Sequence, residues 1–431
     1  MLDRLVNFFS EPSYLVALAF GVLALGYAIS RPEMFIYIAA GFAVLVSITP
    51  PTLFDPLEYI PLWGPLEGIR SYNRFFAVIG GAALLVAMTA AGFRLVGGLY
   101  PSAKLLLFTH MLILAKNLIY TDDYTFVVVV FVGFVIVAVV FSILFQAANT
   151  PTEAFSLYLL FILATAAIFF SANLFQFYVN RSAMFVVGGR FHGITNNPQM
   201  FVISAAPLLP VAYFVFANYR NLAIRLLAAV FVLVMLYWCY LTGSRLALLL
   251  VVVGATAYFQ MRLEEIAAVT AIGLVAIAVI SNFDTGLEIS SDSRILSTTD
   301  TRTDIWKDQW EAFVSNPLFG EPIEGGGRLG FGESTWLGAA AGLGILGLLP
   351  MLALFAYTLK LTLRLWSSPH LFETSSLRAM VLSVVVVAMA GTFFEAYLFG
   401  VLTLPMTLFL ATVFMMERVD QLSLPSGPLP A

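Results

Sequence analysis

Cysteine and histidine are almost absent: Cys239 is the one thiol, and His110, His192 and His370 are the three imidazoles. A lone cysteine inside an apolar run, beside Trp238 and Tyr240, excludes a disulfide framework within the chain and a cysteine-built metal site. Three scattered histidines have no recognisable ligand spacing either, so no metal and no cofactor are expected. Charge is equally sparse. Asp, Glu, Lys and Arg make up 11% of 431 residues, and 21 basic against 25 acidic side chains leave a formal net charge of −4. That balance excludes a polybasic face and, with it, nucleic acid as a partner.

What fills the chain instead is hydrocarbon. Hydrophobic residues reach 61% and the mean hydropathy is +0.94, beyond what a water-soluble core of this size requires. Roughly 17–25 apolar residues are needed to cross a bilayer as a helix. Candidate runs lie at 13–30, 34–49, 75–96, 103–119, 126–145, 154–172, 200–217, 222–241, 246–260, 266–280, 335–357, 377–394 and 399–416. The expected fold class is all-α: a polytopic helical membrane protein with about 12–13 transmembrane helices and one large, partly helical extracytoplasmic loop. A single membrane domain over 1–431 accounts for the pattern, with the loop at 282–333 inside it. The first run lacks a basic flank and a small-residue cleavage site, so it reads as a retained span.

Spans alternate sides. With the 282–333 loop outside, Arg31, Arg94, Lys104, Arg220, Arg225, Arg262, Lys360, Arg364, Arg378 and Arg418 fall in short inner connectors, as the positive-inside rule expects. The same alternation places 171–199 and 242–245 on the outer side. Lys116 and Glu395 then sit near the outer ends of spans, where an ionisable group needs a partner or a wet cavity.

Four segments at that side carry polar chemistry. Thr301-Arg302-Thr303-Asp304 has the spacing of a capping box, and Ile305, Trp306, Trp310, Phe313 and Val314 follow at helical intervals, so an amphipathic helix is expected to run to Asn316-Pro317. Arg302, Trp306 and Trp310, four apart, share one side of it. Interfacial anchoring of the tryptophans and snorkelling of Arg302 is the plainer reading. Glycines then surround Arg328 and lead into Glu333-Ser334-Thr335-Trp336, a loop whose backbone can approach an anion but which lacks the Lys-Ser/Thr ending of a nucleotide-binding loop. Gly243-Ser244-Arg245 opens an apolar run with a guanidinium suited to a phosphate or diphosphate, or simply to snorkelling. Gly188-Gly189-Arg190-Phe191-His192-Gly193, with Asn196-Asn197-Pro198, forms a turn-rich entry to another span. Alone, His192 is more often a structural hydrogen-bonding group than a base or ligand.

These pieces, in this order from Arg190 to about Leu349, resemble the O-antigen ligase and polymerase family of bacterial membrane glycosyltransferases. The Arg190-to-Pro198 block, Thr242-Gly243-Ser244-Arg245, Arg302 with Trp306, Asn316-Pro317-Leu318-Phe319-Gly320, and Glu333 to Leu337 followed by Gly342 to Gly347 carry the likeness. Where the ligases typically have a His-Asn pair, this chain has Glu333-Ser334, which leans towards a polymerase. The resemblance implies a metal-independent, inverting transfer of glycan units from an undecaprenyl-diphosphate carrier to an acceptor hydroxyl, at the periplasmic face of the bacterial inner membrane. It implies Glu333, Arg302 and Arg245 as catalytic residues and Arg190, His192, Trp306 and Arg328 as substrate-binding ones. The partners so implied are a polyprenyl-diphosphate-linked glycan donor, a glycan or lipid acceptor and membrane lipid. A transporter or flippase of polysaccharide or lipid-linked glycan also needs many spans and intramembrane charges, although here the charges gather at one face. A non-catalytic assembly subunit is the third class that fits the pattern.

Overall fold

The computed structural model describes residues 12–48, 60–120, 124–186, 189–195, 197–260, 302–321, 332, 334–400 and 402–423. Helix dominates them. In chain order these are α1 (Pro12–Ser30), α2 (Phe35–Leu45), α3 (Pro65–Ala90), α4 (Pro101–Tyr120), α5 (Tyr124–Gln146), α6 (Pro151–Val179), α7 (Pro198–Ala205), α8 (Leu208–Asn218), α9 (Leu222–Leu241), α10 (Arg245–Phe259), α11 (Arg302–Ser315), α12 (Thr335–Ser367), α13 (Ser375–Phe394) and α14 (Leu404–Ser423). Two short strands, β1 (Phe185–Val186) and β2 (Arg190–Phe191), pair antiparallel between α6 and α7. Among the described residues, eight helical spans, with α7 and α8 together forming one, are long and apolar enough to cross a membrane, and three shorter apolar helices accompany them. This is a polytopic helical membrane protein, as the apolar runs require.

The starts of the helices are written locally. Proline occupies the first position of α3, α6 and α7, where its missing N–H costs nothing and its fixed φ suits the helix. Thr150 accepts the Glu153 N–H and Glu153 reaches back to Asn149 N at 2.6 Å, a reciprocal cap on α6. Thr374 caps α13 through Leu377 N. The 75–96 run is displaced: its helix, α3, begins at Pro65 and stops at Ala90. Pro65 sets the start, and the charged first turns that follow it are tolerated because they lie at the end of the bundle and not in its apolar middle. The 200–217 run is divided between α7 and α8, and α12 continues to Ser367, past the expected 357. The 266–280 run lies outside the described residues.

Packing follows the small residues. Gly254 of α10 lets Val387 and Ser383 of α13 approach, and the Ser383 hydroxyl donates to the Gly254 carbonyl at 2.7 Å. Without a hydrophobic drive between helices in lipid, such close approach and interhelical hydrogen bonding hold a bundle together. The last helix, α14, is enclosed: residues 404–417 are all buried, and Thr412 meets the Tyr158 hydroxyl of α6 at 3.0 Å. From Val16 to Ser30 nearly every residue of α1 faces outward, with Phe20 and Leu23 each 68% exposed, as a lipid-facing helix would be.

Candidate active site

Among the described residues, buried polar side chains collect at one end of the bundle, just before α7, between α9 and α10, and where the end of α13 meets the start of α12. Phe191 of β2 is fixed there by aromatic packing, stacked on Trp238 of α9 at 5.5 Å and edge-on to Phe201 of α7 at 4.9 Å. That packing delivers its two neighbours, Arg190 and His192. Arg190 is 8% exposed and its Nε donates to the Thr242 carbonyl at 2.8 Å, so it holds the turn that leads into Arg245. His192 is fully buried, and its Nδ1 lies 2.8 Å from the Thr195 carbonyl, where it donates. Burial first, then the Arg70 guanidinium, pushes the imidazole down to about 3. Burial therefore favours the neutral imidazole of His192, which suits it to hydrogen bonding and makes it a weak base. Asn173 of α6 secures the same turn by accepting the Ile194 N–H at 3.0 Å.

Arg70, at 0% exposure, is a participant the sequence reading did not single out. It sits two residues before the break in α3 at Tyr72, and its Nη1 is 3.7 Å from Glu67, which also accepts the Leu62 N–H. Its one signal in the sequence is position, an arginine in the first turns of an apolar helix.

Arg245 is the first residue of α10, with an exposed side chain projecting from the N-terminal end of that helix. Arg302 is likewise the first residue of α11. The expected helix is present, it ends at Ser315 just before Asn316-Pro317, and Thr301, the proposed cap, lies outside the described residues. Arg302 Nη2 stands 3.9 Å from Glu395 Oε1, and its Cζ lies 5.5 Å from the centre of the Phe394 ring. Trp306 packs on the same ring at 6.1 Å. Trp310 does not share that role: it is 54% exposed and leans on Phe313, while Gln309 is the residue α11 buries. A helix of 14 residues advances about 100° per residue, so a four-residue step drifts and the third member of the series leaves the contact.

Glu395 closes α13 and is 6% exposed. Its carbonyl accepts the Thr335 hydroxyl at 2.8 Å, and one turn back Thr392 accepts the Trp336 indole N–H at 3.0 Å. The segment Ser334 to Trp336 therefore enters α12 against the end of α13, with Ser334 as the α12 cap. Gly391 meets Ile203 of α7, so the Arg302–Glu395 group and the His192 group lie on neighbouring helices at the same end. Glu333 and Arg328 themselves lie outside the described residues. Among the described residues no three His, Cys, Asp or Glu side chains stand together as a metal site would need.

A second feature fixes α11. The turn after it inserts into a break in α12: Glu321 N donates to Ala341 O and Ile345 N to Pro317 O, each at 2.8 Å. Gly320 and Gly344 have φ of +67° and +63°, and a Cβ on either would strike the backbone of the opposing segment, the Ala341 carbonyl or the Leu318 carbonyl. Only glycine fits both the conformation and the approach. Lys116 of α4 completes the joint, its ammonium donating to the Phe319 and Gly342 carbonyls at 2.6 Å each. The two ionisable groups expected to need partners at span ends, Lys116 and Glu395, both have them.

Residues 229–321 match the family model of the O-antigen ligase. The matched segment holds Arg245, Arg302, Trp306 and the Asn316-to-Gly320 turn, in agreement with the resemblance carried by those motifs, and it supports a membrane glycosyltransferase of O-antigen ligase type. None of the curated proteins matches the chain.

Proposed function

We propose that this protein is an extracytoplasmic glycan polymerase, or less favourably a ligase, that moves glycan from an undecaprenyl diphosphate carrier to an acceptor hydroxyl without a metal ion, at the periplasmic face of a bacterial inner membrane. The observation that carries the reading is the matched segment 229–321, in which Arg245 and Arg302 each begin a helix at the end of the bundle where the buried Arg70 and Arg190 lie. A helix N-terminus adds partial positive charge to a guanidinium already placed there, a setting suited to a diphosphate.

In the step proposed, the acceptor oxygen forms a bond to the anomeric carbon while the bond from that carbon to the diphosphate oxygen breaks. The electron pair leaves with the diphosphate, and the acceptor proton passes to a carboxylate, for which Glu333 is the proposed base. Attack opposite the leaving group inverts the anomeric centre. Arg245 and Arg302 stabilise the diphosphate charge as it grows, in a site with little water. Arg190, His192, Trp306 and Arg328 are the proposed substrate contacts, with the neutral imidazole of His192 acting only through hydrogen bonds. Glu333-Ser334 in place of a His-Asn pair favours chain extension over ligation.

Purified protein given a polyprenyl-diphosphate-linked oligosaccharide should release free polyprenyl diphosphate. Arg245→Ala and Arg302→Ala should each slow that release by roughly 10²–10³-fold while the protein stays folded, the cost typical of losing one transition-state charge partner. Unchanged rates in both variants would remove the arginines from the mechanism.

A further inference from the structure

We propose that Glu395 is a positioning residue for this reaction: its carboxylate sets the direction in which Arg302 presents its guanidinium to the diphosphate. The inference rests on the function proposed above and extends the site beyond the matched segment, which ends at 321.

Three observations converge on it. Glu395 is 6% exposed, and a carboxylate removed from water at the end of a span is retained only where a cation or hydrogen bonds compensate it. Its Oε1 is 3.9 Å from Arg302 Nη2, and the ring of its neighbour Phe394 lies under the same guanidinium. The pair Phe394–Glu395 thus grips Arg302 from two directions, one electrostatic and one through the ring face. Finally, the backbone of Glu395 is itself fixed, its N–H donating to Gly391 O at 3.1 Å and its carbonyl accepting from Thr335 at 2.8 Å. The carboxylate is therefore mounted where α13 ends and α12 begins, and α12 begins two residues after Glu333.

A long cationic side chain on the first turn of a partly exposed helix has many rotamers, and a misplaced guanidinium loses much of its effect on a developing charge. Glu395 removes that freedom. A charged pair serving stability alone would be replaceable by apolar groups of the same volume. A pair serving direction would not.

The test has two arms. Arginine modification by phenylglyoxal, read at Arg302 by peptide mass spectrometry on intact purified protein, reports how firmly the guanidinium is held. Glu395→Gln should raise Arg302 labelling several-fold, and Glu395→Asp should fall between it and wild type. In the second arm, turnover of a polyprenyl-diphosphate-linked oligosaccharide by Glu395→Gln should drop at least tenfold in kcat with KM little changed, Glu395→Asp should recover part of it, and the Glu395→Gln, Arg302→Ala double variant should be no slower than Arg302→Ala alone. Equal labelling in wild type and Glu395→Gln overturns the proposal, as does undiminished kcat or additive loss in the double variant. A wild type with no turnover overturns the functional reading instead, and the labelling arm still decides whether Glu395 holds Arg302.

Discussion

His192 shows how much a single residue's surroundings decide. As a histidine in a turn-rich outer segment it could have been a base, and burial beside Arg70 makes it a neutral hydrogen-bonding group with its titration moved down to about 3. The sign of the linked stability follows. The unfolded chain takes up a proton near pH 6.5 and the folded chain only near 3, so folding weakens as pH falls from about 6.5 towards 3 and is unaffected above that window. Thermal unfolding in detergent should show this slope in the wild type and a shallower one in His192→Gln; equal slopes would mean that other groups govern acid sensitivity. At this scale the sequence was legible where charge met apolar surroundings. Lys116 and Glu395 stand out at the ends of apolar runs and both turned out partnered, whereas Arg70 was lost among the ordinary charges of a helix start, because nothing local marks a side chain that only tertiary packing encloses.

Among the elements, α11 and its joint with α12 matter most. The helix was readable from Arg302 to Asn316 through its periodicity and its proline stop. Its docking was not, since the fit of Gly320 against Gly344 joins positions that no local pattern relates. Two substitutions probe the joint. Gly344→Ala would place a Cβ against the Leu318 carbonyl at a φ of +63° and should destabilise the protein by more than about 1 kcal/mol, seen as a lowered Tm. Lys116→Met leaves the Phe319 and Gly342 carbonyls without their ammonium and should cost about 1–3 kcal/mol. Hydrogen exchange should then rise across α11 before it rises in α14, the enclosed helix; uniform exchange across both would show that the joint does not govern α11 separately.

For the whole molecule, hydropathy alone reveals the class, and the apolar runs within the described residues are helical, with boundaries moved where prolines or glycines intervene. Sidedness rests on the basic residues of short connectors and is directly testable. Cys239 is buried, so introduced cysteines can be labelled against a silent background. Asp308→Cys on α11 should react with an impermeant maleimide added to the periplasmic side, and Glu373→Cys, between α12 and α13, should react only after permeabilisation. The reverse pattern would place the candidate site on the cytoplasmic face and undo the proposed setting.

Transfer of glycan off a lipid diphosphate is the claim on which the rest depends, and product analysis tests it most directly. Purified wild-type protein in lipid vesicles, given only a polyprenyl-diphosphate-linked repeat unit, should yield by mass spectrometry a ladder of carrier lipids bearing two or more units together with free polyprenyl diphosphate, and Glu333→Gln should yield neither. Recovery of the donor uncleaved, whether left in place or moved across the bilayer, would contradict the account and assign the protein to transport or assembly.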